Sequence, residues 1–227
     1  MLVFKYLNEG IKDEVYTDKS GNPIGFDIIE RIIRISIRHL ENKFPSSIGM
    51  ILRRKPVVYT HDVPAMATDG INIFVNPEFV ANLFGGFYDG INKDNTIDVI
   101  MYILAHEALH VIFRHPQEEK KDAVKFPDHN RANVAQDAQI NLYIEHVLAK
   151  VFNDFIGIGD KMGMVYDTQF LKKGWKDIYN ELPDDYKFLR QVEKIKHSRK
   201  WEDGFIDGYA HAMEIMRKEN LIESCKL

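Results

Sequence analysis

The stretch "IMYILAHEALHVIFRH", residues 100–115, sets two histidines and a glutamate into a run that otherwise reads as an apolar helix. Burying polar groups there is costly unless hydrogen bonds or a metal ion compensate. Spacing indicates which compensation is on offer. His106 and His110 stand four residues apart, so on a helix they share a face, about 40° apart in rotation and roughly 6 Å apart along the axis. Two imidazoles so placed can close on one ion. Glu107 lies about 100° around from His106, beside such an ion rather than on it, where a carboxylate can take a proton from an activated water. This is the H-E-x-x-H pattern of zinc peptidases. Core histidines satisfied by hydrogen bonds are the plainer account. That account suits a lone histidine better than two at ligand spacing with a glutamate between them.

Outward from this helix, the apolar periodicity predicts the rest. Residues 26–44 place Phe26, Ile29, Ile32, Ile33, Ile37, Leu40 and Phe44 at three- and four-residue steps, an amphipathic helix that Pro45 ends. "PVVYT" (56–60) and "INIFV" (71–75) read as strands, with Pro64 and the turn pair Asp69-Gly70 between them. "NPEFVANLF" reads as a short helix with Asn76 as cap and Pro77 at the first position. The motif helix is expected over 96–115, capped by Thr96 and stopped by Pro116. A solvated, charged loop should follow, then a third long helix over 129–151. Glycines 157, 159, 163 and 174 punctuate an irregular stretch before a helix at 175–182. Another amphipathic segment covers roughly 203–223. These elements predict one α+β domain, residues 1–183, and a helical C-terminal appendage, 184–227.

Composition narrows the function classes. The chain has 227 residues and a formal net charge of −4, which gives no electrostatic reason to expect nucleic acid or an acidic membrane as partner. The single cysteine, Cys225, cannot form an internal disulfide. The N-terminus has no signal-peptide pattern, and no apolar run approaches the roughly 20 residues that span a bilayer. The expected compartment is the cytoplasm, without membrane attachment; oligomeric state is open.

A catalytic zinc site normally has three protein ligands and one open position. His115, His129, Asp137 and His146 compete for the third place. A continuous helix would turn His115 about 180° away from His106. The spacing H-E-x-x-H-x-x-G-x-x-H is ruled out, because its last two positions hold Phe113 and Pro116. Asn130, Asn133, Asp137 and Asn141 form a polar stripe on the third helix, and Ala132, Ala135 and Ala138 would let the motif helix approach closely. Asp137 is therefore the expected third ligand, with Asn141 supporting a ligand from behind. His146 sits more than two turns beyond. His129, at the helix start, is better placed to touch substrate.

"ATDGINIFVNPEF" (67–79), "LAHEALHVIFRHP" (104–116), "NVAQDAQIN" (133–141) and "WKDIYNEL" (175–182) occur in the order seen in metallopeptidase domains often attached to a von Willebrand factor A-like domain. The chain resembles that family over about residues 56–182. The resemblance implies a zincin-like fold, a small mixed or antiparallel sheet packed on a central H-E-x-x-H helix, with His106 and His110 as Zn2+ ligands, Glu107 as catalytic base and Asp137 as third ligand. Two departures stand out. Ala132 occupies a position often aromatic in the family, and the residues after 183 are too few for the A-like domain.

The expected activity is zinc-dependent hydrolysis of a peptide or protein substrate, as an endopeptidase. "INIFV" would be the edge to which an extended peptide adds. His115, His129, Arg131 and Tyr166 are candidates for stabilising the oxyanion. Two rival classes are a non-hydrolytic zinc-binding assembly or interaction protein and a regulatory module with satisfied histidines. A retained Glu107 argues against the first, since a structural zinc site needs no base.

Overall fold

Apolar spacing builds the first layer. Helix α1 (Phe26–Lys43) buries Phe26, Ile29, Ile32, Ile33, Ile37 and Leu40, the positions predicted by their three- and four-residue steps. Each such side chain contributes about 1.5–3 kcal/mol when removed from water. Helix α2 (Ile48–Arg54) follows at once. It was not expected, since seven residues carry too little periodicity to detect beyond Pro45. Its approach to α1 depends on Gly49, where a Cβ would fall 2.5 Å from the Glu41 Cα. In this computed structural model the described residues are 2–183 apart from positions 8, 163, 165 and 166. Tyr166, Cys225, the 203–223 segment and the expected appendage (184–227) lie outside them.

The strands are short. β1 (Phe4–Tyr6) precedes a hairpin of β2 (Val15–Thr17) and β3 (Pro23–Gly25). A four-stranded mixed sheet takes the order β1, β4 (Val57–Tyr59), β6 (Ile73–Val75), β5 (Met66–Thr68). β1 and β6 run parallel to β4, and β5 runs antiparallel to β6. The expected strands contain β4 and β6. Between them, however, β5 occupies part of what reads as loop, and it closes a hairpin on Asp69-Gly70. Asp69 Oδ1 accepts from Ile71 N at 2.7 Å, and Gly70 adopts φ 83°. One expectation is corrected here: "INIFV" is not an edge. β6 is paired on both sides, and β5 is the outer strand.

Helix α3 (Pro77–Phe84) starts as the sequence predicts, with Asn76 Oδ1 accepting from Glu78 N at 2.9 Å and Pro77 in the first turn. Helix α4 (Thr96–Ile112) carries the motif, and every residue from Val99 to His110 is buried. Its N-cap is Asn95 rather than Thr96, whose hydroxyl donates to Asn92 O. α1, α2, β5 and a later helix, α6 (His129–Tyr143), pack around it.

α4 does not run to residue 115. It ends at Ile112, Arg114 takes a left-handed conformation (φ 60°, ψ 30°), and helix α5 (His115–Lys121) leaves at 43°. The proline explains the break. Pro116 cannot sit inside a helix, yet it fits the first turn of a new one. The charged segment is therefore helix before it is loop. Helix α6 (His129–Tyr143) begins at Asp128, whose Oδ1 accepts from Arg131 N at 3.0 Å. Beyond Tyr143 the expected α-helix gives way to a π-helical turn, Ile144–Leu148, which holds His146. Short helix α7 (Ile158–Met162) precedes α8 (Trp175–Glu181), which docks on α6 around Phe126, Val134, Leu142, Trp175 and Ile178. Among the described residues no single helix is long and apolar enough to cross a membrane.

Candidate metal centre

α4 and α6 bring His106, His110 and Asp137 together. Their Nε2, Nε2 and Oδ1 atoms form a triangle: 3.0 Å between the two imidazoles, 3.3 Å from His106 to Asp137, and 3.1 Å from His110 to Asp137. Donors bound at about 2.0–2.2 Å to a tetrahedral ion stand roughly 3.3–3.6 Å apart, so a small outward shift of these side chains would admit an ion. The donor set fits one small divalent ion. All three residues are buried. Ala132, Ala135 and Ala138 are buried on α6, as expected of a helix that approaches closely enough for an aspartate to reach.

The supporting groups follow from the same two helices. His106 Nδ1 lies 2.9 Å from Asn141 Oδ1, the amide one turn beyond Asp137. Asn133 Nδ2 approaches Asp137 Oδ2 at 3.5 Å, a long contact. Behind His110 stands His115, with Nδ1 3.0 Å from His110 Nδ1 and Nε2 3.1 Å from Gln139 Oε1. This overturns the reason given for setting His115 aside. The helix breaks at Arg114, so the ring returns beneath His110 instead of pointing away. It meets the back of the ligand, however, while Asp137 meets the front.

Electrostatics match the geometry. Desolvation acts to lower the His106 pKa, but the hydrogen bond and charge of Asp137 outweigh it, and the value lies above 6.5. Burial likewise pushes Asp137 up, yet the neighbouring His106 and His110 imidazoles win and hold its carboxyl well below the ordinary range. Burial raises Glu107 above 4.5, partly offset by His110 and His106. Burial and the neighbouring His110 hold His115 well below 6.5, so its ring is neutral. Without a metal, two Nε2 atoms at 3.0 Å need a proton between them, and an ion takes that proton's place.

Two of the predicted residues have their described contacts outside the triad. His129 Nδ1 is 2.8 Å from Glu119 Oε1. Arg131 clamps the end of α8, donating to the carbonyls of Tyr179 at 2.7 Å, Leu182, and Pro183 at 3.2 Å. Gln139 was missed. Its signal was a long amide two positions past Asp137, next to the small Ala138.

The buried group of two histidines and an aspartate, with a glutamate inside the histidine pair, could hold a metal ion. Residues 34–157, more than half the chain, match the family model described as "Putative metallopeptidase domain", and the chain belongs to that family. No curated protein and no solved structure matches the chain.

Proposed function

We propose that the protein is a zinc-dependent endopeptidase of zincin-like architecture, with His106, His110 and Asp137 as ligands and Glu107 as general base. The observation that carries this reading is the triangle of donor atoms, 3.0–3.3 Å on a side, with Glu107 buried beside it. Two imidazoles and a carboxylate suit zinc. Bound zinc supplies a Lewis acid that acidifies water and polarises a carbonyl. Glu107 accepts the proton of the attacking water and passes it to the leaving nitrogen. β5 is the outer strand of the sheet, but Met66, Ala67 and Thr68 are buried, so the substrate's path to the triad does not run along its edge.

Burial of all three ligands also suits a zinc protein that serves assembly rather than hydrolysis. One substitution separates the two readings. Glu107→Gln keeps shape and ligands but cannot accept the proton, so zinc should stay stoichiometric while cleavage of a peptide library, read by mass, falls about 10²–10⁴-fold. Unchanged cleavage by the variant refutes Glu107 as base. A wild-type zinc protein that cleaves nothing in the library favours the assembly role.

A further inference from the structure

We propose that His115 and Gln139 are positioning residues that lock His110 in the tautomer with its proton on Nδ1, leaving Nε2 bare toward the metal. The inference rests on the metal reading of the triad and goes beyond it. It follows from donor accounting along one chain of contacts.

The chain is anchored at its far end. Trp175 N donates to Gln139 Oε1 at 3.2 Å. A backbone N–H can only donate, so the Gln139 atom facing it must be the oxygen. His115 Nε2 lies 3.1 Å from that same oxygen and must therefore carry a proton to reach it. A neutral imidazole protonated at Nε2 has a bare Nδ1. That Nδ1 sits 3.0 Å from His110 Nδ1, so His110 must be the donor there. With its proton on Nδ1, His110 presents a lone pair at Nε2, 3.1 Å from Asp137 Oδ1 and 3.0 Å from His106 Nε2. With His115 neutral, every step follows from one unambiguous donor, the backbone N–H of Trp175.

The two ligand histidines are thus supported differently. His106 is oriented in one step by Asn141, an amide on the helix that supplies the third ligand. His110 is oriented in two steps, through a second imidazole and then a glutamine, and its support ends on α8. Wholly buried His115 excludes water that could otherwise satisfy His110 Nδ1 in either tautomer. Apart from packing, this gives α8 a direct hydrogen-bonded connection to the site.

The test reads tautomers and affinity separately. Long-range proton–nitrogen NMR of the histidine rings, in zinc-loaded and metal-free full-length protein, should show His110 protonated at Nδ1 and His115 at Nε2. A His115 ring protonated at Nδ1 overturns the proposal. Zinc affinity by competition with a chelating dye gives the second readout. His115→Leu removes the acceptor and should weaken zinc binding about 10–100-fold. His115→Asn, whose amide oxygen lies near the former Nδ1, should stay within a few-fold of wild type. Gln139→Leu should weaken binding in the same direction, and the double variant His115→Leu/Gln139→Leu should be no weaker than His115→Leu alone. Wild-type affinity in a folded His115→Leu protein overturns the relay. Should His115→Leu fail to fold, His115→Asn and the wild-type ring spectra still decide. If wild-type protein takes up no zinc, the metal reading falls, while the metal-free spectra still report the relay.

Discussion

α4 and α6 each hold part of the site, yet they are built in opposite ways. α4 is apolar on every side, and His106, Glu107 and His110 interrupt a run buried from Val99 to His110. α6 buries Val134, Ile140 and Leu142, but interleaves them with small and polar residues: Ala132, Asn133, Ala135, Gln136, Asp137, Ala138 and Asn141. The first helix is fixed by packing against α1, α2 and β5. The second is shaped by alanines that permit close approach and by amides that aim the ligands. Polar groups survive burial in α4 because α6 supplies their partners.

The largest expected effect comes from removing a ligand. His106→Ala should abolish stoichiometric zinc by elemental analysis, and Asp137→Ala should do the same. Full retention in either variant would remove that residue from the ligand set. Zinc at about a thousand times its Kd should also stabilise wild type by about 4 kcal/mol and leave both variants unmoved.

Next comes the contrast between helices. Ile100→Ala, deep in α4, should lower unfolding stability in urea by about 2–5 kcal/mol with little change in the zinc affinity of the folded protein. Asn141→Leu should do the reverse, weakening zinc about 10–100-fold with a smaller loss of stability. Equal effects of both variants on both readouts would dissolve the distinction.

The smallest effect concerns Glu107 in metal-free protein. Burial raises its folded-state pKa above 4.5. The folded chain then holds that proton more tightly than the unfolded chain, so the stabilising contribution is full below 4.5 and lost as pH rises through the raised value. Glu107→Gln should therefore raise Tm at about pH 8, with the gain vanishing by about pH 4. A pH-independent difference would count against a buried carboxylate.

Much of this was legible in the sequence where periodicity runs long. α1 shows its face over eighteen residues, and Asn76-Pro77 announces α3. The stripe on α6 exposed Asp137 and Asn141 because polar residues at helical spacing beside alanines require a partner. Three-residue strands were another matter. Of the six described strands, only β4 and β6 lie within the β-branched and aromatic runs "PVVYT" and "INIFV"; β1, β2, β3 and β5 lie outside those runs, and β1 pairs with a strand remote in sequence. The α4–α5 break was hidden by an ambiguity in proline itself. Pro116 reads equally as the end of one helix or the first turn of the next, and only Arg114 in its left-handed conformation decides between them. With the break unseen, the relay through His115 was invisible too.

The parallel pairing of β1 with β4 has a temporal consequence. Phe4 is in register with Val57, across α1 and α2. During synthesis at about 5–20 residues per second, β1 leaves the ribosome roughly 3–10 s before its partner exists. β4, β6 and β5 lie close together in sequence and can zip locally, whereas β1 must close the longest gap in the sheet. For those seconds Phe4 and Tyr6 have no strand to shelter against, and the nascent chain is most open to capture by a chaperone.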